Sequence, residues 1–339
     1  MSDKRSSKGR LRAAFRAIRL ALAALLLAAV AIPFVLPAPP APDTRAAGEL
    51  AFSDSAWATI DGVRIHYRVA GSDDASQTIV LLHGFGASTY TWREVTAPLA
   101  RAGYRVVSFD RPAFGLSERP VADSFEPSES PYSMDANVAQ TLGLLDHLGI
   151  DRAIVVGHSA GGAVAAMFAA AHPERVSALV LVAPAVYQAR PIPAGVSALL
   201  RTPWARWYGP VVVRQIVGAG FDGFVASAYG DPAVATDEVV AGYRAPLSVE
   251  GWDRALWELV AAPRTESAES ALSLVLAPTL VIAGTADTFV PFEDSERVAR
   301  SISDATIVSF PGSGHLPHEE APARFVGEVL DFLNQLNPR

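Results

Sequence analysis

Short apolar runs alternate with helical patterns from about residue 56 to the end of the chain. The first run alternates apolar and polar residues, as a half-buried strand does, and the later runs are short and mostly apolar. Apolar runs of this kind are typical of parallel strands that are buried on both faces. The predicted strands are residues 63–69, 78–82, 105–109, 153–156, 178–182, 279–283 and 306–310.

Helical patterns occupy most of the stretches between these strands. The predicted helices are residues 92–102, 134–148, 160–171, 292–301 and 322–336. Strands that alternate with helices indicate an α/β fold, in which a mostly parallel sheet is flanked by helices. The short connection between the first two strands predicts an antiparallel start to this sheet.

Residues 185–275 interrupt the alternation and show no convincing strand pattern. They contain four of the six tryptophans and several other aromatic residues. We interpret them as a helical insertion between two parts of one core, residues 56–184 and 276–339. The aromatic side chains either line an apolar pocket or form the insertion's own core. Trp204 and Trp207 are the candidates for substrate contact.

The N-terminal segment has the features of a membrane helix. Residues 20–36 are apolar throughout, at the lower limit of length for spanning a bilayer. The basic residues within 1–19 predict that the N-terminus stays in the cytoplasm while the rest of the chain crosses. The prolines of 37–42 disfavour signal cleavage, so we predict a membrane anchor, with secretion after cleavage as the alternative. Residues 37–55 are predicted to be an extended linker.

Charge and cysteine content narrow the possible functions. The chain has 339 residues, enough for one large core, and no cysteine, which excludes disulfides, thiolate metal sites and a thiol nucleophile. The formal net charge is −7, and the first 19 residues contribute seven Lys or Arg and one Asp, a net of +6. The remainder therefore carries −13, which disfavours nucleic acid as a partner.

One short motif supplies a candidate nucleophile. The stretch Gly157-His158-Ser159-Ala160-Gly161 follows a predicted strand and opens an alanine-rich helix. Between a strand and a helix, the pattern G-x-S-x-G is typical of a tight turn that exposes the serine hydroxyl above the sheet. A plain glycine-rich turn is the alternative. We interpret Ser159 as the nucleophile.

A serine nucleophile needs an adjacent base, and the base needs an acid that orients it. His315 follows the last predicted strand, at the sheet edge where Ser159 emerges, and is the predicted base. Asp287 follows the preceding strand and is the predicted acid. His318 is expected to be a solvated surface residue. Asp110, which comes before the nucleophile in the chain, is interpreted as a structural loop residue.

Acyl transfer also needs N–H donors that face the developing oxyanion. The N–H group of Ala160, immediately after the nucleophile, is one predicted donor. Residues 83–86 (HGFG) follow an apolar strand, and the N–H group of Phe85 is the second predicted donor. His158 and Gly84, next to these groups, are predicted substrate contacts.

Together these elements resemble the α/β-hydrolase superfamily over roughly residues 56–339. Residues 110–117 (DRPAFGLS) resemble its D-x-x-G-x-G-x-S loop, with Ala113 where the first glycine is usual, and residues 314–322 resemble its histidine loop. The resemblance implies an eight-stranded, mostly parallel sheet. It also implies a helical cap at residues 185–275, inserted after strand 6, and an active site between core and cap.

The position of the cap resembles the branch that contains C–C bond hydrolases, epoxide hydrolases and haloalkane dehalogenases. The last two classes use an aspartate nucleophile, so Ser159 disfavours them. The C–C hydrolases use serine, but typically have asparagine before it and methionine after it. This chain has His158 and Ala160 at those positions.

The expected function is that of a serine hydrolase which cleaves a carboxylic ester, or a related acyl bond, through an acyl-enzyme. No metal or cofactor is expected. The aromatic insertion favours a hydrophobic small-molecule ester. A C–C bond hydrolase or an acyltransferase of the same fold is one alternative. A ligand-binding sensor that keeps the triad but does not turn over is an alternative of another class.

Overall fold

Eight strands form one sheet in the computed structural model, which describes residues 3–121, 130–188, 193–262 and 268–336. The strands are β1 (Ser55–Ile60), β2 (Val63–Ala70), β3 (Thr78–Leu82), β4 (Arg105–Phe109), β5 (Ala153–His158), β6 (Val176–Val182), β7 (Thr279–Gly284) and β8 (Ala305–Phe310). The helices are α1 (Asp3–Val35), α2 (Arg93–Arg101), α3 (Met134–His147), α4 (Ala160–Ala171), α5 (Ala194–Leu200), α6 (Pro203–Ser227), α7 (Asp237–Arg244), α8 (Trp252–Ala261), α9 (Ala268–Leu272), α10 (Phe292–Ser301), α11 (Pro317–Glu320) and α12 (Pro322–Leu336).

The predicted α/β arrangement is confirmed. The strands follow the order β1-β2-β4-β3-β5-β6-β7-β8, and neighbours from β4 to β8 run parallel. β3, β4, α4, α10 and α12 begin and end where the sequence predicts. β1 is absent from the predicted strands because its sequence, SAWATI, has no continuous apolar run. It lies at the edge of the sheet and is only partly buried.

The antiparallel start of the sheet has different partners from those predicted. β1 and β2 form a hairpin across Asp61 and Gly62, whose φ angles are +47° and +78°. Positive φ at both positions suits a two-residue turn that matches the strand twist. β2 pairs antiparallel with β4, which separates it from β3. The first two predicted strands are therefore not neighbours, because pairing between distant segments is not encoded in the local pattern.

Alternate residues of each strand pack on opposite faces of the sheet. One face, which includes Leu82 and Val155, is covered by α3, α4, α9 and α10. The other face, which includes Leu81 and Val156, is covered by α2 and α12. Burial on both faces explains why these strands read as nearly continuous apolar runs.

The elements described between β6 and β7 are all helices, with no strand among them, and turns and irregular segments connect these helices. We call α5–α8 the cap. Its side chains Phe221, Tyr229 and Tyr243 pack against Ala87 and Leu316, which lie in loops after β3 and β8. In contrast, α9 packs against α4 within the core layer. The cap therefore covers the edge of the sheet at which the parallel strands end.

The helix α1 is longer than the predicted apolar run and includes part of the basic flank. Its segment Ala14–Val35 is the one helix among the described residues that is long and apolar enough to cross a membrane. Pro33 lies inside this segment and has no N–H group to donate to the carbonyl of Ala29. The hydroxyl of Tyr208, on α6 of the cap, donates to that carbonyl at 2.9 Å. The cap thus satisfies the backbone acceptor that the proline leaves unpaired.

Candidate active site

Ser159 lies in the turn between β5 and α4, with φ +52° and ψ −121°. Residues with a side chain rarely adopt this conformation, and it is often found at functional sites. A Cβ atom at Gly157 would lie 2.5 Å from the carbonyl oxygen of Gly161, and one at Gly161 would lie 2.4 Å from that of Leu82. Both motif positions therefore require glycine for the turn to pack against β3.

His315 and Asp287 lie on the loops after β8 and β7, at the same edge of the sheet. The Nδ1–H group of His315 donates to Oδ2 of Asp287 at 2.7 Å, and both side chains are buried. The other carboxylate oxygen, Oδ1, accepts the N–H groups of Phe289 and Val290 at 2.8 and 2.9 Å. With its proton on Nδ1, the neutral imidazole carries an unprotonated Nε2 that can accept a proton.

Ser159 and His315 border one cavity of about 200 Å³. No hydrogen bond joins Ser159 Oγ to the His315 ring in the structure. Contacts between a nucleophile and its base are often long without substrate and tighten only in the bound complex. The structure thus brings the three predicted triad residues to one edge of the sheet and two of them into one cavity.

Two loops that meet at Ser159 supply the predicted oxyanion donors. Ala160 is the first residue of α4, where an N–H group has no acceptor within the helix. The N–H group of Phe85 has no hydrogen-bond partner among the described residues. A Cβ atom at Gly84 would lie 3.0 Å from the Ser159 Cβ, so this glycine lets the Phe85 loop approach the nucleophile.

His158 borders the cavity but is only 3% exposed. Its Nε2–H group donates to the carbonyl oxygen of His315 at 2.9 Å. Burial, together with the neighbouring imidazoles of His315 and His318, holds the pKa of His158 well below its ordinary value. His158 is therefore neutral, and its hydrogen bond holds the loop that carries His315.

The prediction that His318 is a solvated surface residue is wrong. Its side chain is fully buried, and its ring packs against Trp92 and His158 with centroids 4.6 and 4.8 Å apart. Its Nε2–H group donates to Thr91 Oγ1 at 2.9 Å, and burial holds its pKa well below the ordinary value. Two adjacent glutamates made the segment resemble an exposed helix, but Glu319 is buried as well.

Glu319, within the histidine loop, links the cap to the core. Sequence analysis assigned no role to this residue. Its carboxylate accepts hydrogen bonds from Thr91 Oγ1 at 2.6 Å, from the Tyr229 hydroxyl at 2.6 Å and from the Tyr243 hydroxyl. Arg93 Nη1 neutralises it at 2.7 Å. Thr91 and Arg93 belong to the core, whereas the two tyrosines come from the cap, so one buried carboxylate joins both layers.

The main chain of the histidine loop also contacts the cap. The N–H group of His315 donates to the carbonyl oxygen of Ala228 at 2.7 Å. Glu320 accepts the N–H groups of Gly230 and Gly314 at 2.9 and 2.8 Å. A Cβ atom at Gly314 would lie 2.5 Å from the Gly230 nitrogen, so the two backbones are in direct contact. The position of His315 thus depends on the cap.

Two further cavities extend on either side of the nucleophile. An apolar cavity of about 330 Å³ lies between cap and core and shares Phe85 and Phe224 with the 200 Å³ cavity at Ser159. A third cavity, of about 260 Å³, borders Ser159 and Ala160 and includes the polar side chains of Arg111 and Asn137. The site therefore has one apolar compartment and a second one, called the polar compartment below, whose mainly apolar lining includes these two polar side chains.

The structure does not bring Trp204 and Trp207 to these cavities. Both lie on α6, on the side that faces α1. Their indole N–H groups donate to the carbonyl oxygens of Val30 and Leu36 at 2.9 and 3.0 Å. The expectation of substrate contact is corrected accordingly, because these indoles contact the N-terminal helix instead.

Asp110, the competing acid, belongs to a separate buried network. It accepts hydrogen bonds from His66 Nδ1 at 2.7 Å, from the Thr89 N–H group at 2.7 Å and from the Leu116 N–H group at 2.8 Å. Burial raises the pKa of Asp110, but the hydrogen bond and charge of His66 outweigh that effect and lower it. Among the residues that the structure describes, no cluster of three or more histidine or acidic side chains fits a metal ion.

Comparison with known protein families gives one match that covers most of the chain. Residues 79–328 match the model of the α/β-hydrolase family. A 2-hydroxy-6-oxo-6-phenylhexa-2,4-dienoate hydrolase of Comamonas testosteroni is 31% identical over 287 residues, which is 80% of this chain and 91% of that protein.

Solved structures share the same architecture. The enol-lactonase of Burkholderia xenovorans LB400 superposes with a TM-score of 0.67 at 25% identity, covering 82% of this chain and all of that one. A membrane phospholipase A, described as a bacterial virulence factor, has a TM-score of 0.66 at 23% identity and covers 97% of this chain and 100% of that one. This second likeness concerns the fold alone.

Proposed function

The chain belongs to the α/β-hydrolase family and is a hydrolase, and from this premise we propose that it cleaves carboxylic esters through a covalent acyl-enzyme on Ser159. The observation that carries this proposal is the apolar cavity that adjoins the smaller cavity bordered by Ser159. It is lined by aromatic and aliphatic side chains, which suit the hydrocarbon part of an ester.

The proposed mechanism uses only groups of this chain and water. Ser159 Oγ attacks the ester carbonyl while its proton passes to Nε2 of His315, and Asp287 stabilises the imidazolium. The N–H groups of Phe85 and Ala160 donate to the oxyanion. His315 then protonates the leaving alkoxide, which departs as the alcohol. A water molecule, deprotonated by His315, attacks the acyl-enzyme and releases the carboxylic acid and Ser159.

We expect the rate of ester hydrolysis to rise with acyl-chain length. Each CH₂ group that enters the apolar cavity gains about 0.8 kcal/mol, so kcat/KM should rise about fourfold per carbon from p-nitrophenyl acetate until the cavity is filled. Initial rates of p-nitrophenol release measure this. A flat profile, or no turnover of any member, would contradict the proposal.

A C–C bond hydrolase is the second candidate, because the relative from Comamonas testosteroni carries that name at 31% identity. The same preparation should be given a 2-hydroxy-6-oxo-dienoate and followed by loss of the dienoate absorbance. His158 and Ala160 favour the ester, since C–C hydrolases of this branch typically have asparagine and methionine at those positions. Faster turnover of the dienoate than of every ester would reverse this preference.

We also propose that α1 anchors the protein in a membrane with the hydrolase on the extracytoplasmic side. Ala29 lies six residues before the end of the apolar segment at Val35, about 9 Å along the helix. Tyr208 and Trp204 bind the helix at this depth, and Trp207 binds the carbonyl oxygen of Leu36 just past its end, where aromatic side chains favour the membrane interface. Fractionated cells should retain the full-length chain in membranes after an alkaline wash. A shortened chain in the soluble extracytoplasmic fraction would indicate cleavage instead.

A further inference from the structure

Arg111 is a buried cation without an acidic partner. Its residue is 4% exposed, and it forms no ion pair with any described residue. Its one side-chain hydrogen bond among these residues runs from Nη1 to Asn137 Oδ1 at 3.3 Å, and its Nε–H group is buried with no partner. A buried charge normally requires a counter-charge, because removal from water costs several kcal/mol.

The adjacent acid does not neutralise Arg111. The carboxylate of Asp110 already accepts hydrogen bonds from His66, Thr89 and Leu116, and it contacts Gly115 on the other side of the loop. Burial alone lowers the pKa of Arg111 to about 10, which leaves the guanidinium charged at neutral pH. Among the residues that the structure describes, no acidic group therefore compensates the positive charge of Arg111.

This charge lies in the polar compartment next to the nucleophile. Arg111, Asn137 and Ser159 border the same cavity of about 260 Å³. The N–H group of Arg111 donates to Nε2 of His83 at 3.0 Å, and His83 Nδ1 donates to the Gly84 carbonyl oxygen at 2.7 Å. The backbone of Arg111 is thus fixed to the loop that carries the predicted oxyanion donor.

We propose that Arg111 binds a carboxylate of the substrate in this compartment, with Asn137 as the residue that positions its guanidinium. A guanidinium group is well suited to a charge-assisted contact with a carboxylate. This inference rests on the proposed function. It narrows the substrate class to acyl compounds with an anionic group on one side of the scissile carbonyl and an apolar group on the other. Both an ester and a dienoate can present that group.

Two pairs of matched esters test the subsite. Mono-p-nitrophenyl succinate and p-nitrophenyl butyrate differ in a carboxylate on the acyl side, and 4-carboxyphenyl butyrate and phenyl butyrate differ on the leaving-group side. In Arg111→Met, kcat/KM for the anionic member of one pair should fall on the order of 10²-fold relative to its neutral partner. Arg111→Lys keeps the positive charge but not the planar guanidinium, so kcat/KM for the anionic ester should fall by a smaller factor than in Arg111→Met. An unchanged ratio in both pairs overturns the proposal.

Stability separates ligand binding from a structural role. Arg111→Met removes a buried, unpaired charge and should unfold at the same temperature as the wild type or a higher one. Arg119 is the control, because it is half-buried and its guanidinium donates to the carbonyl oxygens of Gly115 and Ser117 at 2.7 and 3.0 Å. Arg119→Met should lower Tm and leave both ester ratios unchanged. A lower Tm in Arg111→Met would show that the guanidinium has a native role and would overturn the proposal.

A binding measurement separates this inference from the proposed reaction. Ser159→Ala protein should be stabilised by ethyl hydrogen succinate more than by ethyl butyrate, and the difference should vanish in Ser159→Ala/Arg111→Met. This result would stand even if no ester were turned over by the wild type. Equal stabilisation by both compounds, or a difference that persists without Arg111, overturns the subsite.

Discussion

Replacing Ser159 with alanine is expected to lower kcat for ester hydrolysis by about 10⁶-fold. The proposed reaction passes through an acyl group bonded to Ser159 Oγ, and alanine offers no atom that can form this bond. The N–H donors of Phe85 and Ala160 remain, so a rate about 10³- to 10⁴-fold above that of uncatalysed hydrolysis should survive. Initial rates with p-nitrophenyl butyrate measure the loss in kcat. For the wild type, the concentration of active sites is titrated with a fluorophosphonate.

Ser295 provides the matched control for this loss. It is fully buried on α10, and its Oγ has no hydrogen-bond partner, so Ser295→Ala should retain wild-type turnover. The strained backbone of Ser159 adds a second readout. Ser159→Gly should be as inactive as Ser159→Ala but more stable by about 1 kcal/mol, because glycine adopts positive φ without strain. Turnover near the wild-type level in either Ser159 variant would remove this residue from the mechanism.

Much of the fold could be predicted because its signals are local. Continuous apolar runs identified the inner strands, and the alanine-rich stretch after Ser159 gave α4 its correct ends. The order of Ser159, Asp287 and His315 along the chain placed all three at the ends of parallel strands. Since parallel strands end at one edge of a sheet, the proximity of these residues followed from the order of elements alone.

The parts that could not be predicted depend on contacts between distant segments. His318 is buried because Trp92, far away in sequence, packs on its ring. Trp207 contacts α1 because of how the cap is oriented, a property that no local pattern carries. The role that we propose for Arg111 depends on the lack of an acidic partner among the described residues, which only the folded arrangement reveals. Each of these features joins elements from different parts of the chain.

Asp287→Asn is expected to lower kcat about 10⁴-fold while the protein remains folded. Two backbone N–H groups, from Phe289 and Val290, donate to Oδ1 and therefore keep the amide oxygen of the asparagine at that position. The amide nitrogen then faces His315 Nδ1, from which the carboxylate of the wild type accepts a hydrogen bond at 2.7 Å. A donor at this position favours the tautomer with its proton on Nε2. His315 then cannot accept the proton of Ser159, because its lone pair points to the wrong group.

Asp110 offers a control with nearly the same chemistry, since it also accepts an imidazole Nδ1–H group, from His66, at 2.7 Å. Asp110→Asn replaces a carboxylate oxygen, which accepts hydrogen bonds, with an amide NH₂ group that faces other donors, so Tm should fall. The kcat of the folded fraction should stay close to that of the wild type. Asp287→Asn should show the reverse, with little change in Tm and a large loss in kcat. If Asp110→Asn instead lost about 10⁴-fold in kcat and Asp287→Asn did not, Asp287 and His315 would not be the acid and the base of this reaction, and the hydrogen-bonded pair of Asp110 and His66 would be the candidate in their place.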